Sequence, residues 1–159
     1  MKKAEWFVSN FIKSLLCYFA IILLSYLILV LVHMAGVPFE GVSSFPLWAK
    51  IVVYLQSLIF VALCFMLGLK LKLLGKQGVS HLLNYLSVCG SALIALPFAS
   101  ARTYIFIFMA LPFMGISLFS ETVININFDV QLIIVSLLPS LATWLGMIHQ
   151  SSRRGNIET

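Results

Sequence analysis

Charge is what this sequence has least of. Of its 159 residues 9% are charged, and the five acids stand against ten Lys and Arg. An ordinary soluble domain carries about 25% charged and about 45–50% apolar residues. With 62% of the chain hydrophobic, a soluble fold of this length has too few polar side chains to cover its apolar surface. That scarcity excludes a soluble enzyme, a nucleic-acid module and a disordered tail. Asp129 is the only aspartate, so chemistry needing paired aspartates is excluded as well. Cys17, Cys64 and Cys89 lie singly inside apolar runs, with no CxxC or Cys/His ligand spacing. A disulfide scaffold, a zinc site and a redox pair therefore have no support, and the thiols read as small apolar side chains. HExxH, a carboxylate cluster and the GxxxxGK[ST] phosphate loop are also missing. Gly90-Ser91-Ala92 superficially suggests a serine nucleophile, but no histidine lies in the interior of a run to serve as its base. These absences predict a protein that is not an enzyme and carries no cofactor or metal.

What is present is a set of long apolar runs, which raise the mean hydropathy to +1.08. They fall at about residues 14–35, 48–69, 82–101, 103–119 and 132–149. About 20 apolar residues cross the ~30 Å of bilayer hydrocarbon as a helix. Lipid offers the backbone no hydrogen-bonding partner, so the runs must be helical. They are too long and too continuously apolar for the alternating strands of an outer-membrane barrel. No loop is long enough to hold a soluble domain. The expected fold is thus all-α, a polytopic integral membrane bundle of five hydrophobic helices in a single domain, residues 1–159. Met1-Lys2-Lys3 before an apolar run resembles a secretory signal. The run at 14–35 exceeds the ~7–15 residues of a signal core, however, and no small-x-small cleavage site follows, which predicts a retained first span.

The bases orient the first half of the chain. Lys2, Lys3 and Lys13 precede the first run, and Lys70, Lys72 and Lys76 separate the second from the third, whereas the 36–47 loop has Glu40 and no base. The positive-inside rule makes the N-terminus and the Lys70–Lys76 loop cytoplasmic in a cell membrane. The second half is contested. Five full crossings put six bases inside and four outside, with Arg153 and Arg154 among the outer ones. If the third run is re-entrant, nine bases lie inside; if the fourth is, eight do. Charge thus favours four crossings. Hydropathy favours five, because the third run is full-length and uncharged. The shorter fourth run, with Pro112 and Gly115 near its middle, is the better re-entrant candidate, although membrane helices tolerate such residues.

Few side chains within the runs carry chemistry. Ser87, Ser91, Ala95 and Ala99 recur every four residues, and Gly90 enlarges the same small-residue surface. Such stripes let helix backbones approach closely in lipid. They suit either the central packing helix of the bundle or a face for a membrane-protein partner or a second copy. Ser136-xxx-Ser140 and Ala142-xxx-Gly146 repeat the theme in the last run, which suggests that the third and fifth helices pack together. Gln56 is the lone amide near mid-span. It is expected to bond a serine on a neighbouring helix, such as Ser87 or Ser91, since a conducting path normally shows several polar positions. No ionisable group sits mid-span. His33, His81 and His149 lie at segment ends, and Lys50 can snorkel beside Trp48. Lys70, Lys72 and Lys76 can also meet anionic lipid headgroups. Trp6, Trp48, Trp144 and Tyr104 fit interfacial anchoring. Residues 124–132 alternate apolar and polar, which predicts an extended connection along the membrane surface.

The expected function is therefore non-catalytic: a multi-pass protein acting through helix packing, as an accessory subunit, an assembly factor or an immunity-type protector. The alternative is a subunit of a small-solute transporter or channel. The expected partners are the lipid bilayer and its anionic headgroups, together with another membrane protein or a second copy, and no nucleic acid.

Overall fold

The computed structural model describes residues 2–37, 45–71, 79–90, 92–93, 112, 115–116 and 128–155. Among them regular structure is helical and no strand occurs. The described elements are α1 (Lys2–Met34), α2 (Leu47–Lys70), α3 (Val79–Leu86) and α4 (Phe128–Gly155). Ala4–Met34, Leu47–Lys70 and Ile133–Gln150 are each long and apolar enough to cross a membrane. Most of the runs at 82–101 and 103–119 lies outside the described residues, so the expected five helices reduce here to three spanning ones.

The helices begin and end for local reasons. α1 extends well before its apolar run, through Glu5 and Lys13, because a helix satisfies its own backbone on either side of the lipid boundary. At 1.5 Å per residue its 33 residues reach about 50 Å, well beyond the ~30 Å of hydrocarbon. It stops at Gly36, whose φ of 90° supplies the left-handed residue of a helix C-terminus. There the Gly36 N–H donates to the His33 carbonyl at 2.9 Å, and His33 Nδ1 bonds the Val37 carbonyl at 2.9 Å. α2 starts after Pro46, whose carbonyl accepts the Ala49 and Lys50 N–H groups at 3.0 and 3.1 Å. It ends where Leu71 turns into an extended conformation.

Two expectations need correction. The third run is not one unbroken helix from residue 82, because α3 stops at Leu86 and residues 87–89 form a turn. Ser87 Oγ donates to the Asn84 carbonyl at 2.8 Å and Cys89 Sγ to the Leu86 carbonyl at 3.1 Å. The backbone itself tightens there, with the Val88 N–H donating to the Tyr85 carbonyl three residues back at 3.0 Å. Likewise the 124–132 segment is helical from Phe128 onward rather than extended. A short alternating run with no partner edge gains no ladder, whereas joining a helix adds one hydrogen bond per residue. Residues 124–127 lie outside the described set.

α2 is the centre of the packing, most extensively against α4 and less against α1. Tyr18 and Ile21 of α1, Phe60 and Cys64 of α2, and Val135 and Ala142 of α4 form the main apolar cluster. Toward one end Leu71, Val88 and Met147 cluster with Trp6, Leu67 and Trp144. Toward the other, Val32 and Val37 meet Phe45, Ala49 and Val53. Hence α1 runs antiparallel to α2, while α4 runs in the same direction as α2. The start of α1 and the ends of α2 and α4 gather at one end of the bundle, which Lys2, Lys3, Lys13, Lys70, Arg153 and Arg154 make its basic end.

The tightest approach is between glycines. A Cβ on Gly146 would land on the Phe65 carbonyl oxygen and lie 3.0 Å from Gly68 Cα. One on Gly68 would land on the Thr143 carbonyl oxygen. The small residues of the last run thus meet α2, whose sole glycine lets the two backbones touch, while most of the third run lies outside the described residues. Alanine at either site gains about 1 kcal/mol of helix propensity. We nevertheless expect Gly146→Ala and Gly68→Ala to lose stability, by about 1–3 kcal/mol from overpacking. Denaturant titration in detergent checks this, with the exposed Leu145→Ala as the near-neutral control. A Gly146→Ala protein as stable as the parent would contradict the backbone contact.

Candidate functional site

Among the described residues, uncharged polar side chains are buried while large apolar ones are exposed. Leu16, Leu23 and Leu58 are exposed at 63%, 71% and 62%, whereas Ser25, Ser57, Asn84 and Ser87 are fully covered. The buried polar residues (Asn10, Ser136, Ser140 and Thr143 among them) are all uncharged. They form the candidate site, a neutral polar seam where helices meet.

Gln56 places its amide in this seam. Its Nε2 donates to Ser25 Oγ of α1 at 2.7 Å, with both residues buried. The partner is therefore not Ser87, whose hydroxyl is spent on Asn84, and Ser91 lies outside the described residues. One helical position on, Ser57 Oγ donates to the Val53 carbonyl at 3.0 Å and accepts the Gly115 N–H at 3.0 Å. Gly115 is needed for this approach, because a Cβ there would sit 2.6 Å from the Val53 carbonyl oxygen. The middle of the fourth run thus docks its backbone on α2.

The same arrangement recurs nearer the basic end. Ser140 Oγ donates to the Leu137 carbonyl and Thr143 Oγ1 to the Pro139 carbonyl, both at 2.8 Å. Pro139 withdraws one N–H from the α4 ladder, which a buried membrane helix tolerates when neighbours supply contacts. Tyr85 of α3 reaches across to Ser140 with a long 3.4 Å contact, and its ring meets Trp144 edge-on at 5.8 Å. Trp144 Nε1 is buried without a partner among the described residues. Trp144 thus packs inside the bundle, as Trp6 partly does, while Trp48 is exposed; Tyr104 lies outside the described residues.

Of the small-residue stripe, Ser87 and Gly90 are described and both are buried. A Cβ on Gly90 would come within 2.9 Å of the Phe11 ring, so α1 crosses close to it. Ser91, Ala95 and Ala99 lie outside the described residues, as do Lys72 and Lys76. Lys70 is the exposed last residue of α2.

Chemically, the seam offers neutral donors and acceptors, most of them engaged within the protein; among the described residues the Asn84 Nδ2 and Trp144 Nε1 atoms have no hydrogen-bond acceptor. Ser14, Ser57, Ser87, Ser140 and Thr143 all donate to carbonyls of their own chain segment. His33 bonds Val37, and His149 lies 6.0 Å from the Phe65 ring; neither is placed beside one of these hydroxyls. Among the described residues no three His, Cys, Asp or Glu side chains approach closely enough to hold a metal ion.

Sequence reasoning missed Ser25 as the partner of Gln56. The signal was in the spacing. Residues 25 and 56 lie equally far from residues 40 and 41, close to the middle of the short connection between the first two runs, and so fall level in an antiparallel pair. A double-mutant cycle of Gln56→Leu and Ser25→Ala, read by denaturant titration, should give a coupling of about 0.6 kcal/mol, typical of interhelical bonds in membranes. A coupling indistinguishable from zero would remove the bond from the account of the fold.

No protein-family model matches the chain, and neither does any curated protein or any solved structure.

Proposed function

We propose that this chain is a non-catalytic multi-pass protein of the cell membrane that acts through helix packing, as an accessory subunit, an assembly factor or an immunity-type protector. One observation carries the reading: among the described residues no charged side chain is buried, and the hydroxyls and the Gln56 amide of the seam make neutral bonds within and between helices. Ion-coupled transport and proton relay place ionisable groups in the membrane interior, because their cost there is accepted only for function. Acid–base catalysis needs a base beside its nucleophile. Neutral serine, threonine and amide contacts serve association instead.

The proposed arrangement has the N-terminus and the Arg153-Arg154 tail in the cytoplasm, with five hydrophobic helices and an even number of full crossings. The common direction of α2 and α4 supports this. Met147 lies beside Leu71, so the α4 C-terminus shares an end with the α1 N-terminus. Five crossings would carry it to the other end. The positive-inside rule then assigns that end to the cytoplasm.

Reporters fused before Met1 and after Thr159 are expected to give cytoplasmic signals; an extracytoplasmic signal after Thr159 would sink the even-crossing arrangement. Solubilised mildly, the tagged chain is expected to travel in a stable hetero-complex with another membrane protein. A homo-oligomer that conducts a solute in vesicles would overturn the accessory role in favour of a transporter or channel subunit.

A further inference from the structure

Between α1 and α2 a groove of about 310 Å³ opens on the outer face of the bundle. Cys17, Ala20 and Leu24 line it from α1, and Leu63, Met66 and Lys70 from α2. On each helix these residues recur at spacings of three or four, so the groove follows two turns of both helices, about 10 Å. Ala20 leaves the hollow, since a larger side chain at that position would fill it. Lys70 is the lone charged residue of the lining and sits at the basic end, as the last residue of α2.

We propose that this groove binds one anionic phospholipid, with an acyl chain lying along the apolar walls and the headgroup phosphate meeting the Lys70 ammonium. Charge complementarity selects this occupant. α2 contains no acidic residue, and Lys72 and Lys76 follow Lys70 in sequence. At the same end of the bundle, the first turns of α1 carry Lys2, Lys3 and Lys13 against Glu5 alone. Among the described residues Glu5 is the sole acid at the basic end, and an anionic headgroup supplies the remaining counter-charge. A zwitterionic headgroup brings its own cation and leaves the excess in place. A helix of another protein would fill the apolar walls but would not by itself answer the charge. The proposal stands apart from the packing role: a chain with no protein partner would bind the lipid equally well.

The test is native mass spectrometry of the full chain, delipidated in mild detergent and titrated with palmitoyl-oleoyl phosphatidylglycerol or the matching phosphatidylcholine. The expected result is a single phosphatidylglycerol adduct at concentrations where phosphatidylcholine leaves the chain bare. Lys70→Gln should weaken that adduct about fivefold, the factor one interfacial base supplies, and leave phosphatidylcholine unchanged. Ala20→Phe and, independently, Met66→Phe should fill the groove and remove the adduct while circular dichroism shows the helix content kept. Either variant suffices if the other does not fold. Equal binding of the two lipids, a preference that survives Lys70→Gln, or an adduct that survives both groove-filling variants would each overturn the proposal. So would a homodimer that these variants dissolve, because the groove would then be a helix interface.

Discussion

Hydrocarbon offers no hydrogen bonds, and the internal order of this bundle follows from that constraint. A hydroxyl inside the bundle has to find a donor and an acceptor within the protein. Here Ser57, Ser140 and Thr143 donate to carbonyls three or four residues back on their own helices. The oxygen is then left as an acceptor facing the neighbour. Ser57 accepts a backbone N–H from Gly115 in that way, and Ser25 accepts the Gln56 amide. The serines therefore act as acceptors set on rigid helices, and they fix which residue of one segment stands opposite which residue of another. Each such bond is worth only about 0.6 kcal/mol. Their effect is on register more than on total stability.

Stability has to come from close contact, because lipid tails are as apolar as the leucines that face them. The largest interface, α2 on α4, closes where Gly68 and Gly146 bring two backbones together. Dispersion grows steeply as atoms approach, so a crossing without side chains gathers many contacts in a small area. Large side chains are correspondingly turned outward, as at Leu23 and Leu58. The polar seam and the glycine crossing serve one geometry: neutral groups hold the helices in register while small ones let them touch.

How much of this was legible in the sequence depends on whether a feature is local. α2 was plain, since Pro46 and Lys70 bracket an unbroken apolar run. The apolar limits of α1 were visible but not its helical limits, because residues 2–13 precede the apolar run without leaving the helix. The break after Leu86 was hidden: hydropathy sees Ser87 and Cys89 as tolerable in a span and carries no signal of the Val88 N–H turning to the Tyr85 carbonyl. Helix from Phe128 onward was hidden as well, because alternation over a few residues does not reveal what they join. Of the candidate site, Gln56 stood out as the lone mid-span amide. Its partner depended on which helices are neighbours, a tertiary fact that only the length of the first connection hinted at.

Direction is where fold and charge meet. The start of α1 and the ends of α2 and α4 lie together, so Lys2, Lys3, Lys13, Lys70, Arg153 and Arg154 belong to one end of the bundle, with Lys72 and Lys76 following α2. For α2 and α4 this is favourable within each helix, as cations complement the partial negative charge of a helix C-terminus. For α1 it is not, because Lys2 and Lys3 stand at a helix N-terminus where Glu5 is the single compensating acid. Among the described residues, bases outnumber acids at that end while no charged side chain is buried. An excess of that kind repels itself unless an anionic layer lies against it. The helix pairing that the polar seam fixes thus also decides where the protein's positive charge gathers, and so which membrane surface the bundle can rest on.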